Sequence, residues 1–369
     1  VPQTICLNMI VKNEARVIRR CLDTVRPFID RWVIVDTGST DGTQALIREV
    51  LQGVPGELHE RRWKDFAHNR NEALALARGQ GDYVLVIDAD EQLVAEPGFR
   101  MPDLDADEGL VLCRWRDSTV TWFRTTIIRA ALPWRYVGVV HEGLVCDAPR
   151  STRKIPGLAI HSFSDGARNA DPAKKYEEDV RALEAALVEE PDNARNVFYL
   201  ARSYHDAGQL ERAIATYDRR ATMGGWGEEV FYSLHQATAL RQRLGRPWPE
   251  ILNGYLAAYQ SRPVRAEPLY EIAAHYRKSS EWALAERFAR AACLLARPAD
   301  VLSVDESVYE WRARDELAVA AFHLGKLTEA LALNQALVTE GRLPAGDRER
   351  ILNNRDAIAA QLAEKNESG

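Results

Sequence analysis

The chain has 369 residues, 46% of them hydrophobic and 28% charged, with a formal net charge of −6. That length is more than one ordinary core fills, so two domains are expected, and the acidic balance speaks against nucleic acid or an anionic membrane as the main partner. Five scattered cysteines (Cys6, Cys21, Cys113, Cys146 and Cys293) never form a C-x-x-C pair. They point to reduced thiols in a cytoplasmic setting, not to a disulfide framework or a zinc site.

The first 90 residues or so alternate in type. "TICLNMIV" reads as a buried strand; Asn8 and Lys12 interrupt the apolar run, so the N-terminus is not taken as a signal peptide. "NEARVIRRCLDTV" puts Val17, Ile18, Cys21, Leu22 and Val25 on one helical face. "RWVIVD" is a second strand, "TGSTDGT" a loop and "TQALIREVL" a helix. "ELHERRW" is a third strand, "FAHNRNEALALARG" a helix ended by glycine, and "DYVLVID" a fourth strand. Strands alternating with helices over short links imply parallel β-α-β units with right-handed crossovers.

From residue 109 to about 162 the pattern is strand-like throughout: "GLVLCRW", "TWFRTTIIR", "VGVVHEGLV" and "LAIHSF". These are expected as antiparallel or mixed additions to the sheet. From about residue 172 the chain reads as nearly all helix. In "NVFYLARSYHDAGQLERAIATYDRRAT", Ala201 and Ala213 allow close helix approach, while Tyr199, Leu200, Tyr204 and Tyr217 fill the gap. Turn positions Gly208, Gly245, Ser280 and Gly325 lie 37, 35 and 45 residues apart. A tetratricopeptide array repeats about every 34 residues, so one repeat, around "ARPADVLSVDESV", is irregular. No apolar run reaches about 18 residues, and no membrane span is expected. The terminal "AEKNESG" is expected to be disordered. The resulting fold class is an α/β domain with an open mixed sheet over residues 1–170, then an all-α, tetratricopeptide-like helical repeat domain over 171–365.

Open α/β sheets bind ligands at the carboxyl ends of their strands. Here three such ends carry polar residues: Lys12, Asn13 and Glu14; then Asp36, Thr37, Ser39 and Asp41; then Asp88, Asp90 and Glu91. The last group follows five apolar or aromatic residues, Tyr83 to Ile87, and three acids at a strand mouth repel one another unless a positive charge sits among them. Neither G-x-G-x-x-G nor G-x-x-x-x-G-K-[ST] is present, which speaks against a dinucleotide oxidoreductase and a phosphate loop. A divalent cation on the D-x-D carboxylates is the simplest counter-charge for a bound diphosphate.

Taken together, "CLNMIVKNEARVIRRCLDTVRPFIDRWVIVDTGSTDGT", "FAHNRNEALALARG", "DYVLVIDADE", "VGVVHEGL" and "LAIHSFSDG" resemble family 2 glycosyltransferases of the GT-A fold. The resemblance extends over essentially the whole chain. It is strongest to a bacterial subgroup with a C-terminal tetratricopeptide-like domain that includes peptide-modifying transferases. It implies a hexosyltransferase-type enzyme using a nucleoside diphosphate sugar, with a UDP-sugar favoured, and Mn²⁺ or Mg²⁺ as cofactor. By the same resemblance Asp90 ligates the cation and His161 completes the metal site. Asp88 faces the ribose or donor sugar, Asn13, Glu14 and Asp36 lie near base and ribose, and Arg70 and Asn71 sit beside the nucleotide. Glu142 is the general base of an inverting displacement. Many relatives have a second aspartate where this chain has Thr37, so the base contact is expected to differ.

Mechanistically, negative charge grows on the departing diphosphate oxygen, and a cation stabilises it. On the opposite face an acceptor hydroxyl or thiol needs a proton acceptor, Glu142. His141 is expected to point away if its segment is a strand. The aromatics Trp115, Trp122, Trp134 and Tyr136 are candidates for a sugar wall, though such residues are more often core. The helical repeats are expected to present or recognise a peptide or protein acceptor. Two other readings stay open at this point. One is a haloacid-dehalogenase-type phosphatase with Asp88 as nucleophile. The other is a repeat scaffold whose nucleotide-binding domain is inactive.

Overall fold

The computed structural model describes residues 3–148, 150–340 and 342–367. The chain forms two compact units, Val1–Ala213 and Ile214–Gly369. The first opens with β1 (Ile5–Val11), α1 (Ile18–Val25), β2 (Arg31–Asp36), α2 (Thr43–Val50), β3 (Gly56–Glu60), α3 (Phe66–Ala77) and β4 (Tyr83–Val86), the alternation expected. β1 lies between β2 and β4, parallel to both, so it is covered on two faces and reads as a continuous apolar run. Leu7 and Met9 pack with Ile18, Leu22 and Ile47 on one side. Cys6 packs with Leu74 and Ala77 on the other. The one polar residue in the middle of that strand is explained by its bonds: Asn8 Nδ2 donates to Val33 O at 3.1 Å and to Ala73 O at 2.9 Å, tying β1 to β2 and α3.

The sheet continues with β5 (Glu91–Ala95), β6 (Glu108–Trp115) and β7 (Val120–Arg129); β8 (Arg135–Val137) and β9 (Gly143–Val145) form a separate hairpin before β10 (Thr152–Ser162). Strand order is β3-β2-β1-β4-β7-β6-β10-β5. β7 runs antiparallel to β4 and to β6, and β10 runs parallel to β6. The carboxyl ends of β1, β2, β4, β6 and β10 therefore all open at the same end of the sheet.

Three details differ from expectation. The acid-rich stretch after β4 leads directly into β5, through a turn closed by Glu91 N donating to Asp88 O at 3.1 Å. "VGVVHEGLV" is not one strand but the two arms of the β8–β9 hairpin, reversed at Gly138 (φ +120°) and His141 (φ +54°). The aromatic wall also divides: Trp134 is core at 2% exposure, whereas Trp115 is 45% exposed.

Helices α4 (Pro172–Glu189) and α5 (Ala194–Asp206) belong to the first unit, and α6 (Leu210–Thr222) follows. The second unit carries α7 (Gly227–Arg243), α8 (Trp248–Ser261), α9 (Glu267–Lys278), α10 (Trp282–Cys293), α11 (Ala313–His323), α12 (Leu327–Glu340) and α13 (Ala345–Glu367). All four expected turn residues take the left-handed conformation that reverses a helix: Gly208 (φ +74°), Gly245 (φ +70°), Ser280 (φ +59°) and Gly325 (φ +74°). The chain is thus an open mixed sheet followed by tetratricopeptide-like helix hairpins.

The irregular interval is held by charge. Arg265, 3% exposed, bonds Glu267 and Asp300, and Arg262 Nε donates to Asp300 at 2.6 Å. The expected disordered tail is helical as far as Glu367, while Ser368 and Gly369 lie outside the described residues. Among the described residues no helix is long and apolar enough to cross a membrane.

Candidate functional site

The carboxyl ends of β1 and β2 brace one another. Asn13, at φ +57°, accepts from Thr40 N through Oδ1 at 2.8 Å, and its own N–H donates to Ser39 Oγ at 2.8 Å. Asp41 caps locally, accepting from Thr43 and from Ala15 N. Asp36 is 1% exposed. Its Oδ1 accepts from Gly38 N and Ser39 N, both at 2.8 Å, but its Oδ2 is buried without a partner. A buried carboxylate oxygen without a protein partner at a strand end is an acceptor that a ligand or water would satisfy.

The three acids after β4 are not equivalent. Glu91, 4% exposed, is gripped by Arg124 from mid-β7 and accepts from Ser162 Oγ at 2.8 Å. Asp88 Oδ1 accepts from Arg70 Nη2 at 2.7 Å, and Arg124 Nη1 lies 3.9 Å from Oδ2. Burial alone raises the Asp88 carboxyl, but the two guanidiniums outweigh it and hold it below the usual range. Two arginines thus supply much of the positive charge the sequence left to a metal. The signal for Arg124 was a charged residue inside the strand "TWFRTTIIR".

Asp90 has no such partner. Its Oδ2 accepts from Gly166 N at 3.3 Å and Asn169 Nδ2 at 3.4 Å, both neutral. Burial, then Asp88 and Glu91, push its carboxyl up. The approach is close enough that a Cβ on Gly166 would stand 2.9 Å from Asp90 Oδ2. The following N–H, of Ala167, donates to both Glu14 oxygens at 3.2 and 3.1 Å. Burial, with Asp90, Asp41 and Asp88 nearby, pushes Glu14 up to about 7.

Glu142 ends the β8–β9 turn with its side chain 8% exposed and Oε2 3.7 Å from Arg70 Nε. Burial raises its carboxyl against the pull of Arg70. Arg70 therefore touches both Asp88 and Glu142. The next residue faces elsewhere: Asn71 Nδ2 donates to Tyr136 O at 2.9 Å and its Oδ1 accepts from Tyr136 N at 2.8 Å. That amide is spent on pinning β8, so its expected place beside the nucleotide does not fit the geometry. His141, in a turn and not on a strand, stacks on Tyr199 of α5 at 4.6 Å, so Tyr199 is not the core filler expected.

His161 Nε2 accepts from Arg114 Nε at 2.9 Å. The other ring nitrogen then carries the proton, leaving no lone pair for a cation in this arrangement, so the expected metal-ligand role does not fit. Among the described residues no three of His, Cys, Asp and Glu are grouped so as to hold an ion by themselves.

Residues 6–96 match the family model described as glycosyl transferase family 2. A TPR repeat-containing protein of Synechococcus elongatus is 29% identical over 277 residues, 71% of this chain and 67% of that protein. The prophage-derived glycosyltransferase SunS of Bacillus subtilis is 33% identical over 225 residues, 57% of this chain and 51% of SunS. The match thus spans about half the length of SunS. Among solved structures, the tetratricopeptide repeat protein YrrB matches with a TM-score of 0.38 and 17% identity, over 50% of this chain and 85% of YrrB. The matched residues 6–96 contain β1 to β4, the acids that follow and the orphaned Asp36 oxygen, and the chain carries a glycosyl transferase family 2 domain at its amino-terminal end.

Proposed function

We propose that this chain is a metal-assisted, inverting glycosyltransferase. It moves a sugar from a nucleoside diphosphate sugar, UDP-sugar favoured, to a hydroxyl or thiol of a peptide or protein acceptor recognised by the helical repeats. A reducing, cytoplasmic setting suits five cysteines that are all free. The single observation carrying the reading is Asp90: the acid among Asp88, Asp90 and Glu91 whose carboxylate forms no ion pair with an arginine among the described residues, on the sheet end where the family's ligands are expected. A lone hard carboxylate suits Mg²⁺ or Mn²⁺, which commonly bind through one or two carboxylates with waters and substrate phosphates and need no all-protein cage. When bound, such an ion supplies Lewis-acid stabilisation of the leaving diphosphate.

The chain's own residues do the rest. Asp36 Oδ2 is available to accept from the nucleoside, and Asn13 holds the loop that Asp36 caps. Burial pushes the Glu14 carboxyl up to about 7, which limits the charge it sets beside Asp90 near neutral pH. Asp88, fixed by Arg70, accepts hydroxyls of the donor. Glu142 takes the acceptor proton, its carboxylate steadied by the same Arg70.

Calorimetry with UDP, GDP and dTDP, each with and without Mn²⁺, tests this. One nucleotide is expected to bind, more tightly with metal, and that nucleotide's sugar conjugates are expected to hydrolyse slowly without an acceptor. Failure of all three to bind in either condition would overturn the reading.

A further inference from the structure

Four arginines around the acids each pair with a carboxylate. Arg70 pairs with Asp88, Arg124 with Glu91, Arg20 with Asp165 and Arg168 with Asp179. Neither the Asp90 carboxylate nor Lys175, on the first turn of α4, makes a direct ion pair among the described residues, though Asp179, Asp206 and Asp90 act on the Lys175 ammonium from farther off. Lys175 Nζ donates to Asn169 Oδ1 at 2.8 Å and lies 5.0 Å from the Tyr176 ring. Its neighbour Lys174, by contrast, is exposed and faces Glu178 at 4.0 Å.

Asn169 joins these two side chains. Its Oδ1 accepts from Lys175 while its Nδ2 donates to Asp90 Oδ2 at 3.4 Å. One amide thus holds a half-buried ammonium and a half-buried carboxylate apart instead of letting them pair. Burial and the nearby Arg168 outweigh the pull of Asp179, Asp206 and Asp90 and lower the Lys175 ammonium, so its charge is under-compensated where it stands. The arrangement makes sense if an anion completes it.

We propose that Lys175 is a cation for the leaving diphosphate, supplied by the helical segment and acting beside any metal on Asp90. This rests on the glycosyl-transfer reading above and deepens it, because it makes the first helix after the sheet part of the donor site. As transfer proceeds, the bond between the anomeric carbon and the β-phosphate oxygen breaks. The electron pair stays on that oxygen, and the acceptor oxygen forms the new bond while its proton goes to Glu142. Lys175 donates N–H bonds to the diphosphate and keeps its proton throughout, so the charge that grows there is met by a fixed cation.

The test is calorimetry of the full chain with whichever of UDP, GDP and dTDP the wild type binds, without metal and with Mn²⁺. Lys175→Ala is expected to weaken the diphosphate about tenfold or more, the scale of a lost charge-assisted bond. Lys175→Arg is expected to stay within about threefold, and Lys174→Ala, the same change in net charge one residue away, to leave affinity unchanged. Circular dichroism and melting temperature report folding, and Lys175→Gln is a second variant that keeps a long side chain on the helix. If the wild type binds a diphosphate and both Lys175→Ala and Lys175→Gln bind it equally well, the role of Lys175 is overturned while glycosyl transfer stands. If the wild type binds none of them, both proposals fall together.

Discussion

Arg124 grips Glu91 with both terminal nitrogens, Nη1 at 2.9 Å from Oε1 and Nη2 at 2.5 Å from Oε2. The Glu91 side chain is 5% exposed, so its charge has little water to fall back on. Removing the arginine strands a buried carboxylate, a change that costs about 3–5 kcal/mol in comparable pairs. Because Arg124 itself is 32% exposed, Arg124→Ala is expected at the lower end, about 3 kcal/mol. Chemical denaturation measures it, and Arg124→Met with Glu91→Leu is expected to regain most of the loss. A single variant as stable as the wild type would mean that Glu91 is not sealed as described.

Asp90 is expected to behave in the opposite way. Its carboxyl is raised by burial and by Asp88 and Glu91, so the folded state holds its proton above the pH at which the unfolded chain releases it. Stability is then lost as pH rises through that raised value. At neutral pH without metal, Asp90→Asn should melt at or above the wild-type temperature. With Mn²⁺ and nucleotide, the wild type should gain melting temperature and the variant should not. His161→Ala should keep that gain, because its ring is engaged by Arg114. Thermal shift assays with and without Mn²⁺ read all three proteins. Loss of the gain in His161→Ala alone would restore His161 as the ligand and remove Asp90 from that role.

The first four strands, three helices and four helix turns were legible because local pattern determines them: apolar runs for strands buried on both faces, helical periodicity, and residues that accept positive φ. The strand-end location of Asp36, Asp88 and Asp90 followed from the same pattern. What was not legible depends on contacts far apart in sequence. Arg124 is 33 residues from Glu91, Arg70 is 18 from Asp88, and Asn169 is 79 from Asp90. No spacing rule links them. The turn that carries Glu142 was misread as strand because Val139 and Val140 within it join Val137 and Val145 in one apolar pattern, while the reversal sits on Gly138 and a positive-φ histidine.

Asn71 gives a direct test of positioning against binding. Its amide replaces two backbone bonds for Tyr136, at 2.9 and 2.8 Å, and β8 leads into the turn that holds Glu142. Asn71→Ala should loosen that turn and lower kcat on the order of tenfold or more through misplacement, with KM for the donor little changed. A variant with normal kcat and a raised donor KM would put Asn71 back beside the nucleotide.

As the proposed base, Glu142 should set the pH dependence. Burial raises its carboxyl above the ordinary glutamate value, Asp88 adds to this, and Arg70 and Arg168 oppose it. A base acts in its ionised form, so kcat should rise with pH up to that raised value and level off above it. Arg70→Met removes the larger opposing charge, and its acid limb should move to still higher pH. Glu142→Gln should lower kcat by about 10²–10⁴ while nucleotide binding persists. It should also melt higher than the wild type at neutral pH, because the wild-type side chain must then be ionised against the burial that raised it. An active Glu142→Gln, or an acid limb unmoved in Arg70→Met, would assign proton removal to another group.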